Sequence, residues 1–570
     1  MDRAALIRVA RGQEPADLVL AGATIVNVLS GEIYPADVAI AAGLIVGVGS
    51  GYQGRERVDL QGLTLIPGLI ESHIHIESTM LSVPEFARAV LTRGTTTAIV
   101  DPHELANVLG LEGVRMVLRW IGRTPLDLHV QLPSCVPASS FESAAAVLDA
   151  ATLAELVDEP GVLGLGELMN FPGAIAGDPD LLAKAALFGP DGHVDGHAPG
   201  VSGHDLAAYI LAGARTDHES TTVAEAEERL RLGMWLMVRE GSTERNLNAL
   251  LPVIERLWPP RSVFCSDDIT PNHLLHQGHL DAILRAAVRG GLDPMQAIRM
   301  ATINPATCFG LARRGAIAPG FAADLVAVNN LTQFKVRQVY KQGRLVARDG
   351  ALQVDLPGLD HRERGNTMHV PPLTAASFRL PGSPGTVRVI GVIPGQIVTE
   401  HLTFPAPLRD GEIVADPDAG LAKLAVIERH RGTGRIALGL VYRFGLRAGA
   451  LASSVAHDAH NLIVLGMSDA DMALAANHVA THGGGVAVVA NGEVLADLPL
   501  PIAGLLSDRP IQEVADCLDA LDRAARRLGC EISSPLMTLS FLALSVIPSL
   551  KLTDQGLLDV DRFELVSLQV

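Results

Sequence analysis

Cysteine is scarce and scattered in this chain of 570 residues: five are present (Cys135, Cys265, Cys308, Cys517 and Cys530), an odd number with no C-x-x-C spacing. Such a set does not describe a disulfide framework, and it points to a reducing compartment. Positive charge is also in deficit, with 45 Lys+Arg against 63 Asp+Glu and a formal net charge of −18. Nucleic acid and anionic membrane are poor partners for that surface. No apolar run reaches the roughly 18 to 20 residues that span a bilayer. The most apolar stretch, Leu536 to Leu550, is broken by Thr, Ser and Pro and reads as a buried core segment. The opening MDRAALIRVARGQEPAD carries charges throughout and lacks the apolar core of a signal peptide, so export is not expected and a cytoplasmic location is. There is no G-x-G-x-x-G turn, no G-x-S-x-G nucleophile, no repeat of fixed period and no low-complexity tract. What is present is 48% hydrophobic and 19% charged, the composition of a well-packed globular protein of two to four domains.

Between Asp17 and Gly49 short β-rich pieces are bounded by Gly, Asn, Ser or Pro, and the same texture returns only after Gly315, in AIAPGFAADLVAVNN and VRQVYKQGRLVARDG. These are strand and turn signals, and the two segments are expected to form one small β-sandwich built from both flanks (residues 1–63 and 313–365). The middle, residues 64–312, alternates branched apolar runs (TTAIVD, LHVQLPS, VLGLGE, HVDGHA, WLMVRE, SVFCSDD) with helix-like stretches such as AEAEERLRLG. Repeated strand then helix implies a parallel sheet. The length is near the roughly 250 residues of a (β/α)8 barrel, with polar residues at the carboxyl ends of the runs. An open doubly wound sheet is the alternative. From about residue 370 to 570 a Pro-rich lead-in, β-like runs and the helical IQEVADCLDALDRAARRLG suggest a separate α+β domain.

The strongest local signal is LIPGLIESHIHIEST, which sets His73 and His75 two apart on what should be the first barrel strand. Residues i and i+2 face the same side of a strand, so both imidazoles can enter the barrel mouth as half of a metal site. Alone, the pair serves packing as readily. Ligand-type residues then recur after successive apolar runs: Glu167 in GLGELMN, His197 in VDGHAPG, His218 in RTDHEST and Asp267 in FCSDDIT. Each singly could be a helix cap or loop residue. Their ordered recurrence is harder to explain that way.

With these residues in place the chain resembles the amidohydrolase superfamily, whose pattern is a strand-1 H-x-H, a carboxylate or modified lysine on strand 4, histidines on strands 5 and 6 and an aspartate on strand 8. PGLIESHIH is similar to the family's opening, with Glu71 where Asp is commoner, and GAIAPGFAADLVAV looks like its return to the sandwich. Within the superfamily the closest likeness is to the adenine deaminases, in IPGLIESHIHIEST, VDPHELANVLG, GELMNFPG, the SDD element and SSVAHDAHNLIVLG. Lys184, in LLAKAALFG, is the sole lysine between His75 and Leu311. Glu167 is therefore the natural bridging carboxylate.

The resemblance implies that His73, His75 and Asp267 bind one divalent ion and His197 and His218 another, with Glu167 spanning both. Imidazole and carboxylate without thiolate suit Mn(II) or Fe(II), with Zn(II) possible; Cys265 is not expected to be a ligand. The implied reaction is conversion of adenine and water to hypoxanthine and ammonia in purine salvage, by a homo-oligomer, a dimer first. Asp267 would carry a proton from the attacking hydroxide to the amine. An acid near purine N1 is sought in Glu77, or in Asp101, His103 and Glu104, where Glu104 could equally open a helix behind Pro102. A carboxyl in that role needs a desolvated pocket. His457, Asp458 and His460 could bind a further metal, close over the barrel mouth or serve structure. HGGG from His482 reads as a turn, and His273, His276 and His279 as a loop and helix start beside the site. The rival readings are a cyclic amide or imide hydrolase and a metal-binding protein without catalysis.

Overall fold

The structure, a computed structural model, describes residues 2–190, 192–257, 260–359 and 365–570. The end of the expected return segment, residues 360–364, lies outside the described residues. Eight parallel strands form the centre of the middle region: Leu69–Ile74, Thr95–Val100, Asp127–Leu132, Val162–Leu168, His193–Gly196, Thr216–Asp217, Trp235–Arg239 and Ser262–Cys265. The first five pair in sequence order in one sheet and the last three in another. Two seams join them. Arg215 N–H donates to the Val194 carbonyl at 2.9 Å; Asp267 N–H donates to the His73 carbonyl at 3.0 Å, while His75 N–H donates to that of Asp267 at 3.2 Å. The sheet is thus a closed (β/α)8 barrel, not an open doubly wound one. Strands such as Thr95–Val100 are buried along their whole length, as expected where helices cover one face and the barrel core the other.

The flanks meet as the sequence texture suggests. Thr64–Pro67 pairs in parallel with Ala16–Asn27 and antiparallel with Leu325–Val328, joining both ends of the region in one nine-stranded sheet. That sheet has its own apolar cluster around Leu20, Ile25, Leu65 and Leu325.

Beyond residue 370 an eight-stranded sheet runs from the edge strand Thr399–Pro405 to the edge strand Glu493–Pro499, and helices Asp469–Thr481 and Ile511–Arg527 pack on it. The apolar run read as core begins with helix Pro535–Phe541. Its Met537, Phe541, Leu544 and Ile547 pack against Cys135, Ala138 and Met169 of the barrel loops. Polar contacts fix the same junction: Ser143 N–H donates to Asp554 Oδ1 at 2.9 Å and Asn461 Nδ2 to the Ser143 carbonyl at 2.9 Å. The carboxyl-terminal region therefore sits over the mouth of the barrel. No helix among the described residues is long and apolar enough to cross a membrane.

One buried ion pair fastens the far side of the barrel. Arg229 Nε donates to Asp217 Oδ2 at 2.6 Å with both side chains fully buried. Arg229 Nη2 reaches the Ala198 carbonyl at 2.6 Å, and Asp217 Oδ1 accepts from Ala198 N–H at 3.0 Å. Removing one partner strands a charge in low dielectric. Arg229→Met is expected to destabilise the barrel by about 3 to 5 kcal/mol, seen as a lower thermal midpoint; an unchanged midpoint would contradict this account.

Candidate metal centre and substrate cavity

His73 is the last residue but one of the first strand and His75 lies just beyond it; Glu167 is on the fourth; His197, His218 and Asp267 follow the ends of the fifth, sixth and eighth. All six are at most 6% exposed. His73 Nε2 is 3.2 Å from His75 Nε2, and Asp267 Oδ1 is 3.6 Å and 3.2 Å from those two nitrogens. On the other side His197 Nδ1 and His218 Nε2 are 3.3 Å apart. Glu167 faces both sets with different oxygens: Oε1 is 3.1 Å from His75 Nε2, while Oε2 is 2.7 Å from His197 Nδ1 and 3.3 Å from His218 Nε2. The structure thus brings together all six residues picked out from the sequence.

The far nitrogens of His73 and His75 and the Glu167 backbone are fixed by groups behind them. His75 Nδ1 donates to the Asp101 carbonyl at 3.0 Å, and His73 Nδ1 pairs with Asp195 Oδ2 at 3.2 Å, which leaves each Nε2 lone pair for the centre. Asp101 Oδ2 accepts from Glu167 N–H at 3.0 Å, across a gap that a Cβ on Gly166 would close to 2.0 Å. Glu71 Oε1 accepts from the backbone N–H groups of His73 and Ser266, both at 3.1 Å, and Oε2 is 3.0 Å from His279 Nε2. The glutamate at this position therefore holds the first and last strands in register. Asp267 adopts φ +56°, which turns its carboxylate back to the centre in a conformation aspartate tolerates.

The residues fit a pair of divalent ions. Imidazole nitrogens face one another with carboxylate oxygens between them, and His73, His75 and Asp267 form one compact ligand group, His73, Glu167 and His218 another. Electrostatics agree. Burial opposes charge on His73, yet Asp195 and Asp267 outweigh it and carry its pKa up to about 10. Burial likewise opposes ionisation of Glu167 and Asp267, but the surrounding imidazoles hold both carboxyls well below their ordinary values. Buried carboxylates here call for positive charge, which a divalent ion meets.

Sequence reasoning missed Glu219 and Arg239. Glu219 Oε1 lies 3.4 Å from His197 Nδ1 and 3.5 Å from His218 Nε2, and the three form a further ligand group. The Arg239 fork grips both Glu219 oxygens at 2.6 and 2.9 Å and Asp267 Oδ2 at 2.9 Å. Arg239 closes the run WLMVR, a polar strand end of the kind that marked the other ligands, and Glu219 directly follows His218.

Above the centre is a cavity of about 40 Å³ walled by His75, Glu104, Asp267 and, from the carboxyl-terminal region, His457 and Phe541. Glu219, Arg239, Glu244 and Ile397 also line an outer hollow of about 710 Å³, a size ordinary for a small-molecule site. His103 reaches the inner cavity, its Nδ1 3.6 Å from Glu167 Oε1. Glu77 is not among the lining residues. It is buried behind them, accepts from Leu105 N–H at 3.0 Å near the start of helix His103–Leu109, and is pushed up to about 7 by burial and the charge of Glu104. Glu104 is both a first-turn residue of that helix and a cavity wall. Despite burial it is held well below the ordinary carboxylate range by His457 and His460, whose Nε2 atoms are each 3.3 Å from it.

The remaining sequence candidates lie aside. Cys265 is buried in an apolar cluster with Ile70, Ile99 and Met237. Lys184 donates to the Ser134 carbonyl at 3.1 Å and pairs with Asp180 at 2.9 Å. His482 to Gly485 form the turn out of helix Asp469–Thr481. His279 is buried against Thr95 at 2.7 Å, and His273 and His276 belong to helix Pro271–His276.

Comparison with known proteins agrees with this architecture. Residues 64–346 match the amidohydrolase family and residues 396–564 the adenine deaminase C-terminal domain. Over 571 aligned residues, 99% of this chain and 98% of the relative, the sequence is 50% identical to the adenine deaminase of Nitratidesulfovibrio vulgaris (strain DP4). It is 47% identical to adenine deaminase 2 of Carboxydothermus hydrogenoformans over 99% of both chains, and 48% identical to the adenine deaminase of Cereibacter sphaeroides over 98% and 99%. The chain belongs to the adenine deaminase family of the amidohydrolases.

Proposed function

We propose that this protein hydrolyses adenine to hypoxanthine and ammonia, a purine salvage reaction. The observation that carries this reading is Glu167, whose two oxygens address separate imidazole sets beneath a carboxyl-terminal region of adenine deaminase type. His73, His75 and Asp267 would hold one divalent ion, His197 and His218 the other, with Glu167 between them. Mn(II) or Fe(II) suits this donor set best and Zn(II) is possible. Such ions, when bound, supply hydroxide from water at neutral pH.

The chain's own residues handle protons and orientation. Arg239 occupies Asp267 Oδ2, so Oδ1 is the oxygen left facing the centre, and Asp267 is the group that takes a proton from the attacking water and passes it to the departing amine. Addition at C6 places negative charge on N1, where an acid is typically worth 10²- to 10⁴-fold. His103 and Glu104 reach the cavity and Glu77 does not, so Glu77 supports the helix and its neighbours meet the purine. The accompanying proposals are a homodimer in the cytoplasm and a division of the chain at residues 1–63, 64–312, 313–365 and 370–570.

With Mn(II) loaded, adenine should release ammonia while adenosine, guanine and dihydroorotate do not turn over comparably. Preferential turnover of dihydroorotate would replace this reading with the cyclic amide one, and no turnover with the non-catalytic one. Glu167→Ala should lower metal content and activity together, so full metal content with normal rates would remove the bridge. Asp267→Asn is expected to cut kcat by about 10²- to 10⁴-fold, and an undiminished rate across pH would exclude the proton transfer assigned to it.

A further inference from the structure

His457 comes from the carboxyl-terminal region, is 3% exposed, and reaches the wall of the inner cavity alongside His75, Glu167, His218 and Asp267. Its ring is pinned on two sides. Nδ1 is 2.6 Å from Ser540 Oγ, which also accepts from the His457 backbone N–H at 3.1 Å. The ring face stacks on Phe541 with centroids 4.8 Å apart and planes at 26°. That leaves Nε2, which is buried, has no aligned hydrogen-bond partner, and lies 3.3 Å from Glu104 Oε1.

The neighbouring histidine has a different task. His460 Nδ1 accepts from Ala456 N–H at 3.1 Å, so a neutral His460 carries its proton on Nε2, which lies 3.3 Å from Glu104 Oε2 without an aligned hydrogen bond. Glu104 thus has His460 beside one oxygen and, beside the other, His457 and the Ser78 hydroxyl, which donates to it at 3.3 Å. The arrangement is a carboxylate holding an imidazole ready, with its remaining N–H unspent.

Resting on the adenine reading, we infer that His457 is the residue that gives a proton to purine N1 as oxygen adds at C6, with Glu104 as its counter-ion. The C6–O bond forms, the C6=N1 π pair moves onto N1, and N1 takes the proton from Nε2. The C6–N6 bond then breaks as the amine leaves with the proton carried by Asp267, and the oxygen lone pair makes C6=O. Water supplies two protons in all. One departs with ammonia, and the other restores His457 for the next turnover.

The charge state fits the role. Burial opposes the imidazolium, but Glu104, with Asp268 and Asp458 adding to it, raises His457 to about 9. The charged or titratable groups facing it are Glu104 from the first turn of helix His103–Leu109, Asp268 after the eighth barrel strand, and Asp458 and His460 from its own loop. His460, pushed down to about 4 by burial, stays neutral across the working range. The acid is therefore present below about 9 and lost as pH rises through it, which predicts an alkaline limb in kcat.

The test compares wild type, H457Q, H457A and E104Q, each loaded with Mn(II), by metal content, kcat and KM across pH, and binding of 1-deazaadenine, which lacks N1. H457Q is expected to keep its metal, bind 1-deazaadenine as wild type does, lose about 10²- to 10⁴-fold in kcat with KM within about threefold, and lose the alkaline limb. H457A should repeat these losses. E104Q should move the limb down toward the ordinary imidazole value of about 6.5. An active wild type with H457Q within about twofold of it and the limb intact overturns the inference alone. Equal loss of 1-deazaadenine binding and of kcat in H457Q also overturns it, since a structural defect would not spare a ligand without N1. A wild type inert toward adenine would defeat the adenine reading and this inference with it.

Discussion

Two carboxylates sealed inside a protein, Glu167 and Asp267, set the terms for everything around them. An anion removed from water is tolerated only where positive charge and hydrogen-bond donors meet it. Four imidazoles and the Arg239 fork supply that compensation, and the rings of His73 and His75 are held by contacts that the barrel itself makes. Glu71 accepts from the first strand and from the residue following the last, so the bonds that close the cylinder also fix the separation of the H-x-H pair from Asp267. Asp101 does the same between the second and fourth strands. Closure of the fold and geometry of the centre are one set of hydrogen bonds.

The parts legible in the sequence were those governed by period and order. His73 and His75 share a face because a strand alternates every residue, and Glu167, His197, His218 and Asp267 each follow an apolar run in turn. The two flanking β segments advertised themselves by similar texture, and they do share a sheet. What stayed hidden acts from behind or across the fold. Asp195 and Asp101 look like ordinary strand-end acids until the rings they orient are placed beside them. Glu219 follows His218 immediately, where strict alternation would send it the opposite way, but the strand has already ended at Asp217 and the rule no longer holds. Glu77 and Glu104 were inseparable on paper; only packing puts one at the cavity wall and the other behind it.

The carboxyl-terminal region explains the difference between those glutamates. Beside His457 and His460 the carboxyl of Glu104 is held well below its ordinary value, while Glu77, buried next to that same charge, is pushed up to about 7. A pair of like groups is driven in opposite directions by two rings from a region some 350 residues further along the chain. Phe541 and Leu544 add apolar wall over the enclosed polar groups.

Thr64–Pro67 and Leu325–Val328 are partners in the nine-stranded sheet, yet Leu325 follows its partner Pro67 by 325 minus 67, or 258, positions. A ribosome adding roughly 5 to 20 amino acids per second needs on the order of 10 to 50 seconds to cover that interval. Throughout it the edge of Thr64–Pro67 that will meet Leu325–Val328 lacks its partner, so the flanking sheet is completed only after all eight barrel strands have been made.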